Sequence, residues 1–451
     1  MALNWYLAAG GFGRHLSSST TIGVSVSRSF SFAASASSFP HHKASFTTRT
    51  TLSSNNNGGI IPDYDELPMD NDTFPRRDDV LVGLEAVRRA AKVTCALQPN
   101  ENGAEISTLS KLDCSPVTVG DFAAQAIVLQ LLSEKFPDDG YIAEESSEAL
   151  QQESASSSLT QSILNATSKY ISDPEALYQC LDIGKSYEQW EHSNDKSPPH
   201  RVWCLDPIDG TKGFLRGRTA GGQYAICLGL IEDGIPTIGI LACPNLPLSS
   251  SSSNNDYEWK EGETLENNAD TRGCIFVASR GGGCYQLPLV PGDGGPSIVR
   301  KLDTTRQDTR KDLSKARFCV GVEQGFADPE GKCKAMASHI HGGLDDATNE
   351  IQHVTRIDSQ AKYGLLARGD GEFYVRLPKP GYQEYIWDVA PGVVVLQEAG
   401  GIVTDVEGNA IFSSSSCTNS RLPPSVTGII GASDPELHNE LIALYQEMFG
   451  E

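Results

Sequence analysis

Asp206-Pro207-Ile208-Asp209-Gly210-Thr211-Lys212-Gly213-Phe214 follows an apolar run, Val202-Trp203-Cys204-Leu205, that ends abruptly at a Pro and a Gly. The run predicts a buried strand. Two carboxylates three apart at a strand end cannot both be buried and charged without compensation. Pro207 fixes one backbone angle and removes a donor, and Gly210 permits a tight turn and a close approach of backbone to ligand. Folded together, the two acids and the Ile208 carbonyl would surround one point. Oxygen donors of this kind suit Mg²⁺, which leaves room for a substrate phosphate. Asp, Pro and Gly also make ordinary surface turns, so the metal reading requires further acids from elsewhere in the chain.

With 451 residues, the chain can form two domains or one large layered unit. Its 39% hydrophobic and 21% charged residues fit a globular protein. No apolar run approaches the roughly 20 residues that span a bilayer, so no membrane partner is expected. A formal net charge of −22 argues against nonspecific nucleic-acid binding. A phosphorylated metabolite remains a suitable partner if metal ions mediate the contact. The 11 Cys run from Cys95 to Cys417 without a C-x-x-C pair. That excludes the usual zinc cluster and leaves buried free thiols in a reducing compartment.

Residues 1–62 contain no Asp or Glu, are rich in Ser, Thr and Ala, and carry Arg14, Arg28, Lys43 and Arg49. This is the pattern of an organellar transit peptide, with mitochondrion and chloroplast both open. Two further parts are expected. Residues 63–245 form an N-terminal α+β part with most of the candidate metal ligands, and residues 246–451 form a C-terminal α/β part with the candidate substrate contacts.

Val82, Ala86, Ala90, Val93 and Leu97 share one face of a predicted amphipathic helix over Asp79–Leu97. The run Lys111-Leu112-Asp113-Cys114-Ser115-Pro116-Val117-Thr118-Val119-Gly120-Asp121 comes next. Asp121 reads as the N-terminal residue of a second helix. Asp113 has no such structural role and lies in a loop where a carboxylate could face a site. Tyr141–Ala143 predicts a strand that delivers Glu144 and Glu145 at its end. Residues 147–200 read as a surface excursion with helical patches at 159–171 and 176–183. The Ser/Asn run 249–256 and the Ser run 413–416 read as loops. Asp233-Gly234 between two apolar runs predicts a hairpin.

In the second half, Phe318–Val322 is a short strand candidate. Ile357-Asp358-Ser359-Gln360-Ala361-Lys362-Tyr363-Gly364 stands at a strand-to-helix junction. A helix N-terminus favours phosphate, and Lys362 adds a full charge. Asp388, in Ile386-Trp387-Asp388-Val389-Ala390-Pro391-Gly392, reads as a helix N-cap before an apolar run.

Together these motifs resemble the Mg²⁺-dependent, lithium-inhibited phosphomonoesterases of the inositol monophosphatase superfamily, over roughly residues 75–445. The resemblance implies a sugar-phosphatase fold, layered α/β and α+β. It implies two or three Mg²⁺ held by Glu144, Asp206, the Ile208 carbonyl, Asp209 and Asp388. It also implies that Asp113, hydrogen-bonded to Thr211, activates the attacking water, and that Asp388 both caps its helix and meets metal and substrate. The D-S-Q-A-K-Y run resembles the 3′(2′),5′-bisphosphate nucleotidase branch, where Ser359, Lys362 and Arg376 would contact the nucleotide and Thr211 the phosphate. The implied reaction removes the 3′-phosphate of adenosine 3′,5′-bisphosphate. The 3′-phosphorylated sulfate donor would be a second substrate. Two alternatives stand beside it, an inositol phosphate phosphatase and a nucleotide-binding sensor without catalysis. The chain departs from the pattern twice. Arg218-Thr219-Ala220-Gly221-Gly222 is inserted after the central motif. Phe326-Ala327-Asp328-Pro329 replaces a His-rich loop, with His339 and His341 as possible substitutes.

Overall fold

A computed structural model describes residues 67, 72–99, 108–110, 116–151, 156–187, 199–248, 273–290, 299–306, 312–322, 330–343, 353–413 and 420–450. The expected transit segment 1–62, Asp113, the 249–256 run, the 326–329 loop and residues 414–416 of the Ser run lie outside them.

Two sheets organise the described chain. The larger has seven strands in sequence order: β3 (Gly140–Ala143), β4 (Arg201–Asp209), β5 (Ala225–Glu232), β6 (Ile235–Cys243), β7 (Cys274–Ser279), β8 (Gly283–Pro288) and β9 (Arg300–Leu302). Only β3 and β4 are parallel; the other neighbours are antiparallel. The predicted hairpin joins β5 to β6 through Asp233 (φ 49°) and Gly234 (φ 82°). Positive φ at both turn residues matches the right-handed twist of the flanking strands. A short ribbon of β1 (Thr108–Ser110) and β2 (Pro116–Thr118) stands apart.

The second sheet has the order β11-β10-β12-β14-β13. Its strands are β10 (Phe318–Val320), β11 (Val354–Arg356), β12 (Phe373–Arg376), β13 (Ile402–Asp405) and β14 (Ile429–Ala432). The expected division at residue 245 falls between β6 and β7, which pair along their length. The chain changes sheet only after β9.

Alternation along the strands sends side chains into different cores. Trp203, Leu205, Ile226, Leu228, Ile238 and Ile240 pack against α1 (Arg77–Leu97) and α2 (Val119–Lys135). On the opposite face Val202, Cys204, Cys227, Leu241 and Phe276 join α8 (Ala361–Arg368) and α9 (Ala390–Glu398). Tyr374, Val403 and Ile429 bring the second sheet onto those same two helices. Its other face carries Phe318, Phe373, Val375 and Ile430 against α7 (Lys332–Ile340) and α10 (Pro435–Phe449). The result is five alternating layers of helix and sheet. Gly239 makes one of these contacts possible: a Cβ there would lie 2.2 Å from the Pro391 carbonyl oxygen, so α9 rests directly on β6. Smaller helices α3 (Ser147–Gln151), α4 (Ser156–Thr167) and α5 (Pro174–Asp182) occupy the predicted excursion and pack on α2.

Candidate active site

Asp206 pairs with Cys227 and Asp209 with Ala225, so four residues of β4 face three of β5. Pro207 and Ile208 occupy this bulge, and Asp206 Oδ1 accepts the Ile208 N–H at 3.0 Å. In a regular strand, residues three apart face opposite sides. Gly210 follows with φ 87° and opens α6 (Thr211–Arg216). A Cβ on Gly213 would fall 2.0 Å from the Gln223 carbonyl, which holds α6 against the chain entering β5. Ile208, Phe214 and Tyr224 form a small core beneath the turn.

Four carboxylates sense one another here. Burial, followed by the fields of Glu144, Asp209, Asp388 and Asp121, holds the Asp206 carboxyl well above the usual carboxylate range. Burial also raises Asp209, against the opposing fields of Lys362 and Arg376 and the Gln360 N–H. Asp388 is raised well above its ordinary value by burial, with Arg376 opposing and Asp209, Glu384 and Glu144 adding to it. Glu144 comes from the end of β3, which lies parallel to β4, so both strands deliver acids at the same edge. All of these donors, with the Ile208 carbonyl, are hard oxygens, and a divalent cation would relieve their repulsion. The donor set therefore fits Mg²⁺. Among the described residues no three His, Cys, Asp or Glu side chains are drawn together as a closed cation cage; the fit lies in donor chemistry and mutual field.

Thr211 Oγ1 lies 3.2 Å from the Ile208 carbonyl and 3.5 Å from Asp121 Oδ1. Asp121 is buried. Its Oδ2 accepts the Thr118 N–H at 2.8 Å and the Thr118 hydroxyl at 2.6 Å. Thr118, not Asp121, is the N-cap, and α2 begins at Val119, with Asp121 completing a capping box. Among the described residues the acid nearest the Thr211 hydroxyl is Asp121, which the sequence alone marks only as a helix-end residue; Asp113, the expected partner of Thr211, lies outside the described residues.

Asp388 also differs from expectation. It lies in a 3₁₀ turn, Ile386–Asp388, and Val389 is the N-cap of α9, with no side-chain capping bond. The carboxylate is therefore not committed to the helix. At α8 the cap residue, Gln360, donates its N–H to Asp209 Oδ2 at 2.5 Å. That helix start receives a protein carboxylate where phosphate was expected.

Ser359 is buried, with φ 70°, a conformation non-glycine residues rarely adopt. Its Oγ accepts the Ala361 N–H at 3.2 Å. The adjoining Asp358 is pinned by the Arg216 guanidinium at 2.8 Å and the Val322 N–H at 3.1 Å. Lys362 donates to the Ile357 carbonyl at 3.2 Å and lies over the Tyr374 ring. Burial lowers its ammonium pKa, against the field of Asp209. Arg376 is gripped by Glu384, Nε to Oε1 and Nη2 to Oε2, both at 2.6 Å. Glu384 is 1% exposed, and nothing in the sequence reading singled it out.

The inserted 218–222 turn follows α6 immediately. Gly222 N–H donates to the Gly217 carbonyl at 2.9 Å, and Asn245 ties the Gly222 carbonyl at 2.7 Å. His341 is engaged elsewhere, with Nδ1 3.2 Å from the Ser314 carbonyl and its ring edge-on to His353.

The chain is 38% identical over 338 residues to a 3′(2′),5′-bisphosphate nucleotidase of Emericella nidulans, covering 72% of this chain and 87% of that protein. A Schizosaccharomyces pombe protein of the same name is 37% identical, covering 73% and 85%. One from Oryza sativa is 34% identical over 391 residues, covering 84% and 96%. The model of the inositol monophosphatase family matches residues 77–448, from the first residue of α1 into the last turn of α10. The acids after β3, on β4 and on the 386–388 turn all fall inside that match, and the chain belongs to the inositol monophosphatase family.

Proposed function

We propose that this chain is a Mg²⁺-dependent phosphomonoesterase that removes the 3′-phosphate of adenosine 3′,5′-bisphosphate, giving AMP and phosphate. The 3′-phosphorylated sulfate donor would be a second substrate. One observation carries the reading most. The β4 bulge sets Asp206, the Ile208 carbonyl and Asp209 beside Glu144, Asp388 and the Thr211–Asp121 pair. The names of the similar proteins support the nucleotide class.

Glu144, Asp206, Asp209, Asp388 and the Ile208 carbonyl would hold two or three Mg²⁺. Bound there, the ions supply charge neutralisation on the phosphate and on the leaving oxygen. The remaining work falls to the chain. The Thr211 hydroxyl donates to Asp121 and accepts from a water, which it orients towards phosphorus. As the water oxygen forms its bond to phosphorus, the 3′-oxygen–phosphorus bond breaks. The water proton passes through Thr211 to Asp121, and the departing 3′-oxygen takes a proton from solvent. Lys362 and Arg376 place positive charge for the nucleotide phosphates, and Ser359 adds a hydroxyl. The grip of Glu384 on Nε and Nη2 fixes the plane of the Arg376 guanidinium.

Phosphate release from adenosine 3′,5′-bisphosphate, AMP and inositol 1-phosphate, with Mg²⁺, chelator or added Li⁺, tests the reading. The bisphosphate should turn over fastest, Li⁺ should inhibit, and chelation should abolish release. Faster release from inositol phosphate would overturn the substrate assignment. Nucleotide binding without release would make the protein a sensor.

A further inference from the structure

Asp206 and Asp209 take their places from a single strand. Glu144 and Asp388 come from separate elements, so their distance from β4 needs a fixture of its own. A buried glutamine stands beside each of them. Gln125, on α2, is fully buried. Its Nε2 donates to the Glu145 carbonyl at 2.6 Å and to the Leu181 carbonyl at 3.3 Å. Its Oε1 accepts the Glu145 N–H at 2.9 Å. Both backbone polar groups of the residue after Glu144 are thus held by one side chain. Gln360 is 3% exposed. Its Nε2 donates to the carbonyl of Trp387, the residue before Asp388, at 2.7 Å. Its Oε1 accepts the Gly392 N–H at 3.0 Å. Its own N–H holds Asp209, so one residue spans from β4 to the turn that carries Asp388.

Chemistry explains the choice of residue. An amide is both donor and acceptor and carries no charge. A carboxylate in either place would add to acids already held above their ordinary range, and a lysine could not accept the N–H. Buried amides satisfied on both sides are rigid, because breaking either bond leaves an unpaired group inside the protein.

We propose that Gln125 and Gln360 are positioning residues of the cation site. They set where Glu144 and Asp388 stand relative to the β4 acids, and hence the affinity for divalent metal. The inference rests on the metal reading given above.

Mn²⁺ titration calorimetry on the full chain without substrate tests it. Q125A and Q360A should each weaken Mn²⁺ binding about tenfold, the scale seen when residues that orient metal ligands are removed. Q286A is the control. Gln286 is also buried and gives its amide to the Leu248 carbonyl, at 3.0 Å. Its loss should lower the melting temperature and leave Mn²⁺ affinity unchanged. Q125M and Q360M keep side-chain length while losing both bonds, and decide the matter if the alanine variants do not fold. Mn²⁺ affinity within about twofold of wild type in the methionine variants would overturn the proposal. Wild-type protein that binds no Mn²⁺ would instead overturn the metal reading and the clamps with it.

Discussion

Asp121 divides two duties between its two oxygens. Oδ2 closes the cap of α2, and Oδ1 faces Thr211. Cap rules explain the residue fully, so the sequence carries no separate signal for a role beside Thr211, and Asp113, the other candidate for activating water, lies outside the described residues. The spacing V-T-x-x-D marks a helix start whether or not the acid also does chemistry. The fold brings α6 against the start of α2 and sets Thr211 3.5 Å from Asp121 Oδ1, which makes Asp121 the proposed proton acceptor. Asn at this position keeps an acceptor for the cap and loses the proton-accepting charge. D121N should therefore lower kcat by about 10²–10⁴ with little change in melting temperature. T118A should cost about 1 kcal/mol of stability without a comparable fall in kcat. If D113N, measured beside them, loses activity and D121N does not, the sequence-based choice was correct.

At the scale of elements, most of the architecture was legible. The α1 face, the β3 and β4 strands, the β5–β6 hairpin and the helix after Ile357 follow from periodicity and turn chemistry, which are local. What was not legible depends on partners distant in sequence. Glu384 gains meaning only when Arg376 arrives on β12, and Gln360 only when α9 packs beside α8. The division expected at residue 245 does not separate the sheets, because β7, beyond it in sequence, pairs with β6. One element pair carries a prediction of its own. His438 on α10 is buried, with Nε2 3.0 Å from Thr404 Oγ1 on β13, and burial holds its imidazole below the ordinary value of 6.5. A folded value below the unfolded one gives stability that is whole above pH 6.5 and is lost as pH falls through the folded value. H438Q keeps a polar partner for Thr404 and removes the titration. The stability gap between wild type and H438Q should therefore shift against wild type on acidification, read as melting temperature from neutral to acid pH. Parallel curves would refute the link.

For the whole molecule the dominant electrostatic fact is a formal net charge of −22, with several acids crowded at one edge of the larger sheet. Folding without a cation carries their repulsion. Ligand linkage then makes metal a stability factor as well as a chemical one. Mg²⁺ at 100 times its dissociation constant should add about 2.7 kcal/mol to the folded state. A thermal melt in Mg²⁺ against an ionic-strength-matched monovalent salt measures this. Equal melting temperatures in the two would refute a divalent site.

The bulge in β4 has one more consequence, for the backbone itself. A regular strand can place two acids on one face at a spacing of two, but every carbonyl between them is then committed to hydrogen bonds within the sheet plane. At Pro207–Ile208 the register with β5 is broken, and the Ile208 carbonyl meets the Thr211 hydroxyl outside the ladder. The protein thereby gains an uncharged oxygen donor among acids that already repel one another, without recruiting another side chain. A redesign that smoothed this strand into continuous pairing would yield a tidier sheet, and would take from the proposed cation site its one backbone oxygen, a donor that adds no negative charge.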